Sequence, residues 1–324
     1  MKAAIVEQLE GPGFLRVGEL ELPRLGKGRV CIEVKFAGIN FPDTLITRGK
    51  YQFQPEMPFA PGGEVSGVIK EVGEGVDDFK PGDRVVSGTS WGGFAQEVHG
   101  WAFNTHKLPE NVAYVDSAST LMTHGTVLHA LQDRAELKEG ETLAILGASG
   151  GVGTAAIQLG KLMGAKVIAC VSSRNKREYC EQLGADEALI YTPAKIKEQL
   201  KELTGGNGVN VIFDAVGGDY AEPAFRAIAP MGRYLVVGFA AGYVPAIPWN
   251  LPLLKSASIV GVFWGNFFRN FPEANKQNIQ KLLNWVGDGS IKPQIDEIFP
   301  LEKAGEALQK IEQRKVKGKL LMEI

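Results

Sequence analysis

One segment near the middle of the chain constrains the fold more than any other. An apolar run, Thr142–Leu146, leads directly into the glycine-rich stretch Gly147–Gly153, and a segment with helical periodicity, Thr154–Met163, follows it. A second apolar run, Lys166–Val171, comes next. A strand, a glycine turn, a helix and another strand make a βαβ unit, whose helix start binds a pyrophosphate through free backbone N–H groups. The segment therefore predicts a dinucleotide-binding loop, with a purely structural turn as the alternative.

The loop reads Ala148-Ser149-Gly150-Gly151-Val152-Gly153, which is an A-x-G-x-x-G variant of the dinucleotide fingerprint. Gly150 lets the backbone approach a pyrophosphate closely, and Gly153 lets the helix pack closely against the strand. The loop residues that we expect to contact the cofactor are Ser149, Gly150, Gly151 and Val152.

Strand and helix signals alternate from this segment to a last apolar run at Ile259–Phe263. Near-continuous apolar strands that alternate with helices predict a parallel sheet covered on both faces, so residues 122–265 are expected to form a doubly wound Rossmann domain. Upstream, short strand-like runs separated by Gly/Pro turns predict a β-rich domain. The tail, residues 266–324, is too short for a core of its own, so the β-rich domain is expected to comprise residues 1–121 and 266–324.

The charge balance and the cysteines exclude several classes of protein. Thirty-five Lys and Arg residues against 37 Asp and Glu residues leave a formal net charge of −2, so no global field attracts nucleic acid or acidic membranes. The three cysteines are too few and too scattered for a disulfide framework or a four-cysteine metal site. Glu7 and Glu10 stand where a signal peptide needs an apolar core. We therefore expect a cytoplasmic protein that binds a small-molecule substrate, with neither nucleic acid nor membrane as its partner.

One uncharged run, Tyr234–Leu254, is long enough to cross a bilayer. Three prolines, Pro245, Pro248 and Pro252, would break any helix within it. The run is therefore not expected to span a membrane.

The residues at the end of the second strand of the βαβ unit indicate which dinucleotide binds. An NAD site carries an acidic residue about 20 residues beyond the loop, where it bonds the ribose 2′-hydroxyl. No acidic residue occurs between Thr154 and Arg177, and the strand ends instead in a polar and basic cluster that includes Ser172, Ser173, Arg174 and Lys176. Such a cluster stabilises a 2′-phosphate, so we expect NADPH as the cofactor. The alternative is an ordinary solvated helix start.

The order of the two domains, together with several motifs, resembles the medium-chain dehydrogenases/reductases. In the zinc-dependent members a Cys and a His of the first domain bind the metal, whereas this chain has Asn40 and Gly63 at those positions. With these substitutions the chain is most similar to the zinc-free, ζ-crystallin-like quinone oxidoreductase branch, so no metal is expected. The motifs that carry the resemblance are Ala37–Asp43 (AGINFPD), Gly49–Tyr51, Pro61–Gly67 (PGGEVSG), Val72–Val76 (VGEGV), Pro81–Val85 (PGDRV), Gly147–Gly153 (GASGGVG) and Leu183–Asp186 (LGAD). The implied fold class is α/β, with a GroES-like β-rich catalytic domain plus a doubly wound Rossmann nucleotide-binding domain.

The resemblance also implies an activity and a set of site residues. Members of this branch use NADPH to reduce quinones or activated C=C bonds. The residues implied near the nicotinamide are Asn40, Tyr51 and Thr126. Those implied near the adenosine phosphates and ribose are Lys176, Tyr191 and Arg314. The segments implied to hold the nicotinamide end contain Gly238, Phe239, Ala240, Phe263 and Trp264.

Without zinc, the carbonyl oxygen that gains charge during hydride addition needs hydrogen-bond donors from the protein. The candidates are the Asn40 amide, the Tyr51 hydroxyl and the Thr126 hydroxyl. Each has a structural alternative: a turn residue for Asn40, a surface aromatic for Tyr51 and a helix cap for Thr126. No Asp, Glu or His stands out as a general acid, which leaves water as the proton source.

Two other functions stay open at this point. One is an acryloyl- or enoyl-thioester reductase, or a haloacrylate reductase, of the same branch. The other is an NADPH-binding protein without activity, as in crystallin-like or RNA-binding relatives. In every case we expect a homodimer, because the apolar edge strand Ile259–Phe263 would be unprotected in a monomer.

Overall fold

The computed structural model describes residues 1–324, which separate into two units, Met1–Met122 with Phe267–Ile324 and Thr123–Asn266. The strands are, in chain order, β1 (Lys2–Ile5), β2 (Arg16–Glu19), β3 (Arg29–Ile39), β4 (Glu64–Val72), β5 (Arg84–Gly88), β6 (Glu97–Trp101), β7 (Thr105–Lys107), β8 (Thr142–Leu146), β9 (Lys166–Val171), β10 (Glu187–Ile190), β11 (Val209–Asp214), β12 (Ile228–Val236), β13 (Ser258–Gly261), β14 (Ile295–Pro300) and β15 (Lys319–Glu323). The α-helices are α1 (Phe41–Ile46), α2 (Tyr114–Ala118), α3 (Leu121–Leu128), α4 (Gly151–Leu162), α5 (Arg174–Gln182), α6 (Ile196–Leu203), α7 (Ala221–Arg226), α8 (Asn250–Lys255), α9 (Trp264–Asn270), α10 (Pro272–Gly287) and α11 (Ala304–Glu312). A π-helical segment, His129–Arg134, continues α3 directly.

The second unit is built on a parallel sheet of six strands, in the order β10-β9-β8-β11-β12-β13. Counted from β8 as the first strand, this is the order 3-2-1-4-5-6 of dinucleotide-binding sheets. The apolar residues of β8, β9 and β11 are fully buried, since helices cover both faces of such a sheet. The doubly wound prediction is confirmed.

The first unit is a mainly antiparallel assembly organised around the long strand β3. One edge of β3 pairs with β4, and the other pairs first with β6 and then with β15. The strand β15 lies between β3 and β14 in a seven-stranded sheet. Buried Val, Ile and Leu side chains of these strands form its core, together with α11. The β-rich prediction for this part of the fold is confirmed.

The helices near residue 120 differ from what the sequence predicts. From the sequence, Asp116 is expected to be the N-cap of a helix, and Gly125 is expected to break that helix. In the structure α2 begins after Ala113, with Asp116 inside the helix, and α3 passes straight through Gly125. Gly125 is buried, and packing offsets the roughly 1 kcal/mol by which glycine disfavours a helix interior.

No helix is both long and apolar enough to cross a bilayer. The uncharged run 234–254 contains the end of β12, an irregular segment and the start of the six-residue helix α8.

Candidate functional site

The predicted cofactor residues of the second unit gather at one edge of its parallel sheet. The last residues of the six strands, β8 to β13, are Leu146, Val171, Ile190, Asp214, Val236 and Gly261. Five of these strand ends are followed closely by residues predicted to contact the cofactor. In strand order these are the loop 147–153, the cluster 172–176, Tyr191, the segment 238–240, and Phe263 with Trp264. Because the carboxyl ends of parallel strands meet at the same edge, the fold brings these groups together where such sheets bind ligands.

The glycine loop is fixed by backbone contacts. Gly147 has a φ of +74°, which favours glycine. A Cβ atom on Gly153 would lie 2.4 Å from the Gly147 carbonyl oxygen, so only glycine lets α4 pack this closely. A Cβ atom on Gly150 would lie 3.6 Å from the same Gly147 oxygen, which is an ordinary van der Waals contact. The protein's own packing therefore does not require glycine at position 150.

The start of α4 fits a bound phosphate. Gly150 is its N-cap residue, and no side chain caps the helix. The backbone N–H groups of the first turn have no partner within the helix, and the helix dipole favours negative charge there. The fold itself does not need a glycine at position 150. Close approach of a pyrophosphate to the uncapped N–H groups does need one. The loop therefore fits a dinucleotide.

Tyr191 lies under this loop rather than on the surface. The side chain is buried, and its ring centroid lies 4.7 Å from that of Tyr220. Burial raises the pKa of the Tyr191 phenol well above its usual range, and the nearby Gly147 backbone partly opposes this rise. Tyr191 therefore lies in the interior, close to the glycine loop.

The basic cluster after β9 has partners that the sequence reasoning missed. The Arg174 Nε atom lies 3.1 Å from Glu178 Oε1, and Arg177 Nε lies 2.8 Å from Glu181 Oε1, each pair one turn apart on α5. These pairs, spaced at i and i+4, explain how basic residues are tolerated at a helix start. Both partners of the Arg174 pair are exposed, and such a pair contributes less than about 1 kcal/mol, so Arg174 can exchange Glu178 for a phosphate.

The turn after β11 is held by a buried carboxylate, Asp214, which the sequence reasoning also missed. Its Oδ1 atom accepts hydrogen bonds from the N–H groups of Val216 and Gly217, both at 2.8 Å. Its Oδ2 atom accepts one from the Tyr234 hydroxyl at 2.6 Å. Burial raises the pKa of Asp214 in spite of these bonds. The backbone N–H of Gly238 in turn donates to the Asp214 carbonyl oxygen, which places the segment 238–240 beside this turn.

The remaining residues predicted near the nicotinamide in the second unit differ in exposure. Phe239 and Phe263 are exposed, whereas Trp264 is buried. Thr126 is half-buried within α3 and is not at a helix end, which excludes the helix-cap alternative.

Asn40 is the N-cap residue of α1 in the first unit and belongs to a buried polar network. Its backbone N–H donates to Asp43 Oδ2 at 2.7 Å, completing a capping box, and Asp43 Oδ1 accepts from the Gly62 N–H at 3.1 Å. The Asn40 side-chain amide donates to the Gly38 carbonyl at 3.2 Å and to Glu64 Oε2 at 3.1 Å. Both of its amide hydrogens are thus used within the protein.

An ion pair that no local motif indicates completes this network. Lys319 Nζ lies 2.7 Å from Glu64 Oε2 and also donates to Asn40 Oδ1. The two side chains of the pair are 4% and 1% exposed. The other Glu64 oxygen, Oε1, accepts from the Met122 N–H at 2.7 Å. The burial of Asp43 raises the pKa of its carboxyl to about 6, with the hydrogen bond from Asn40 opposing the rise.

Tyr51 follows α1 on an irregular segment and is half-buried. Its ring lies edge-on to Phe53, with centroids 6.3 Å apart, and the Arg269 guanidinium lies 4.7 Å from the Phe53 centroid. Burial raises the pKa of the Tyr51 phenol, the Asp43 carboxylate raises it further, and Arg269 opposes both. Arg314 is exposed just after α11, with a φ of +56°. Asn40, Tyr51 and Arg314 therefore belong to the first unit, and the other predicted site residues belong to the second.

The residues at the positions of zinc ligands do not fit a metal. Gly63 has no ligand atom, and a Cβ there would already lie 3.2 Å from Met122 Cε. No group of three or more His, Cys, Asp or Glu side chains is arranged to hold a metal ion. All three cysteines are buried, and burial raises the pKa of Cys31 to about 11.

Comparison with known proteins agrees with this architecture. The profile of the alcohol dehydrogenase GroES-like domain matches residues 26–110, and that of the zinc-binding dehydrogenases matches residues 151–282. The quinone oxidoreductase-like protein 2 of Bos taurus is 37% identical over 325 residues, which cover 100% of this chain and 92% of the relative.

Two solved structures are similar over 100% of both chains. The mycobacterial protein Rv1454c complexed with NADPH has 30% identity and a TM-score of 0.94. The Escherichia coli quinone oxidoreductase complexed with NADPH has 28% identity and a TM-score of 0.94.

Proposed function

The chain belongs to the medium-chain dehydrogenase/reductase family, in its quinone oxidoreductase branch, and from this premise we propose an NADPH-dependent reductase that acts on quinones or α,β-unsaturated carbonyl compounds without zinc. The observation that carries the proposal is the uncapped glycine loop beside a basic cluster at the carboxyl edge of the parallel sheet. When bound, NADPH supplies the hydride, and the residues of this chain bind it, orient it and stabilise charge.

The choice of NADPH over NADH rests on the cluster after β9. Ser172 and Arg174 are exposed at the start of α5, and residues 172–177 include no carboxylate that would repel a 2′-phosphate. The first carboxylate beyond them is Glu178, which pairs with Arg174. We propose that Ser172, Ser173, Arg174 and Lys176 bind this phosphate, while Ser149, Gly150, Gly151 and Val152 bind the pyrophosphate. The NADPH complexes of two similar proteins support this assignment.

The rest of the cofactor is assigned to the other strand ends. Phe239 and Phe263 expose their rings, so Gly238, Phe239, Ala240, Phe263 and Trp264 are proposed to hold the nicotinamide end. Tyr191 is proposed to act by supporting the phosphate loop. Arg314, exposed after α11, is proposed as a further contact to the adenosine phosphates and ribose.

Tyr51 is the best-supported donor to the oxygen that gains charge. Tyr51 is half-buried, and the Arg269 guanidinium nearby favours negative charge at its phenol. Asn40 could donate to a substrate only by breaking a bond to Gly38 or Glu64, so we propose that it mainly fixes the start of α1. Thr126 stays the second candidate donor.

An acceptor panel tests the proposal and its alternatives. NADPH oxidation should be followed with quinones, enones, acryloyl thioesters and haloacrylates. Turnover of quinones or enones is expected. Turnover confined to thioesters or haloacrylates would support the alternative enzyme, and no turnover with any acceptor, together with tight NADPH binding, would support a non-enzymatic binding protein.

Metal removal is a separate test of zinc independence. Dialysis against a strong chelator should leave the activity and the melting temperature unchanged. Stoichiometric zinc that is lost together with activity would contradict the assignment of Asn40 and Gly63.

We also propose a homodimer through the edge strand β13. This strand, which ends at Gly261 rather than at the predicted Phe263, pairs only with β12, and Ile259 within it and Phe263 just after it are exposed. Three apolar side chains nearby in sequence, Trp249, Leu253 and Leu254, are more exposed, at 82%, 75% and 71%, which favours a second copy of the chain as their cover. Light scattering should give twice the 35.0 kDa of one chain, and a monomeric mass at micromolar concentration would exclude this dimer.

A further inference from the structure

We infer that the preferred substrate is a planar electrophile that carries a negative charge, and that Arg269 recognises this charge. The inference rests on the proposed reductase function and narrows its substrate class. It depends on three side chains of the first unit, Tyr51, Phe53 and Arg269, which we call the aromatic–guanidinium cluster.

The cluster is a continuous row of planar groups that ends at the proposed donor. The Tyr51 and Phe53 rings meet at 69°, with centroids 6.3 Å apart. The Arg269 guanidinium carbon lies 4.7 Å from the Phe53 centroid and 5.7 Å from that of Phe268. Cation–aromatic contacts of this length hold a guanidinium in place without using its N–H donors.

Arg269 has no carboxylate within salt-bridge distance, whereas six of the twelve arginines of this chain do. The arginines that do form such pairs are Arg16, Arg48, Arg174, Arg177, Arg226 and Arg233. Arg269 is exposed, and its recorded contacts are with aromatic rings. A planar guanidinium that is oriented on a ring and lacks an acidic partner is suited to a carboxylate, sulfonate or phosphate from outside.

The chemistry of the three groups is complementary to one kind of molecule. The exposed Phe53 ring offers a stacking surface for a flat conjugated system. The Tyr51 hydroxyl offers a donor for a carbonyl oxygen, and Arg269 also favours negative charge at that phenol. An anionic quinone or an anionic conjugated enone would use all three, whereas a neutral aliphatic enone would use only the hydroxyl.

The test compares one ring system with and without a negative charge, namely 1,2-naphthoquinone and its 4-sulfonate. Arg269→Gln should raise the KM of the sulfonate by roughly ten- to a hundredfold and leave the KM of the neutral quinone nearly unchanged. Arg269→Lys should retain part of the preference. The matched control is Arg29→Gln, because Arg29 also stacks on an exposed aromatic ring, Trp101, at 3.9 Å, but it is not part of the aromatic–guanidinium cluster.

A binding assay without turnover separates this inference from the proposed function. Naphthalene-2-sulfonate and naphthalene-2-carboxamide are redox-inert, and their binding can be followed by quenching of the protein's fluorescence. The wild type and Arg29→Gln should bind the sulfonate more tightly, and Arg269→Gln should lose this difference.

Equal binding of the two compounds by the wild type, or an unchanged preference in Arg269→Gln, would overturn the role of Arg269 even if quinones are reduced. If neither the quinones nor an enone is reduced while the sulfonate preference depends on Arg269, the reductase proposal fails and anion recognition stands.

Discussion

The glycine loop of the second unit and the Asn40–Glu64–Lys319 network of the first differ in what holds them in shape. The loop uses backbone: a glycine with positive φ, an uncapped helix start and a close contact at Gly153. The network uses charged and polar side chains that are buried and bonded to each other. A backbone site stays intact without its ligand, whereas a buried ion pair is stable only while both partners are present. The two regions should therefore respond differently to substitution.

The largest effect is expected in the buried network. Lys319→Met leaves the Glu64 carboxylate buried without its cation and should lower the free energy of unfolding by about 3–5 kcal/mol, measured in urea. The control is Lys27→Met, since the Lys27–Glu74 pair is 75% and 78% exposed and should contribute less than about 1 kcal/mol.

A second variant keeps this prediction testable if Lys319→Met does not fold. Adding Glu64→Gln removes the uncompensated charge, so the double variant should recover much of the lost stability. Equal stability of Lys319→Met and Lys27→Met would show that the network does not depend on this pair.

Tyr51→Phe should have the next largest effect, this time on rate. The substitution keeps the ring and removes the hydroxyl, so kcat for enones should fall by about 10²–10³, which is roughly 3–4 kcal/mol. The fall should be smaller for quinones, which are better electrophiles, and NADPH affinity should hardly change. Steady-state kinetics with both substrate classes measures this. An unchanged kcat with both would make Tyr51 a packing residue.

Two alanine substitutions in the glycine loop should separate folding from binding. Gly153→Ala places a Cβ 2.4 Å from the Gly147 oxygen, so the free energy of unfolding should fall by about 1–3 kcal/mol. Gly150→Ala meets only an ordinary contact at 3.6 Å, so stability should be kept while NADPH affinity falls, because the methyl group occupies the place of the phosphate. Thermal unfolding and NADPH titration of both variants measure this. Normal NADPH affinity in Gly150→Ala would argue against a phosphate at that position.

The same contrast explains which features the sequence could predict. The strands Thr142–Leu146 and Lys166–Val171 have the same bounds in sequence and structure, because a buried parallel strand is a short apolar run between turns. The glycine loop is likewise local, since its shape depends on neighbouring residues. The doubly wound fold class followed from these signals and from the resemblance, whereas the order of the strands came from the structure.

The buried network could not be predicted in this way. Lys319 lies 255 residues from Glu64 and 279 from Asn40, and only the fold brings them together. The one available signal was a lysine that begins the otherwise apolar stretch Lys319–Met322. The Arg174–Glu178 pair was visible as an i,i+4 spacing and was missed, because the basic residues were considered without the acids one turn later.

Titration of the wild-type protein with NADPH and with NADH, in the absence of an acceptor, shows whether the loop at 147–153 and the cluster at 172–176 bind a dinucleotide with a 2′-phosphate. NADPH should bind at least about tenfold more tightly than NADH, and Lys176→Ala should weaken NADPH far more than NADH. Equal dissociation constants for the two nucleotides in the wild type would contradict the assignment.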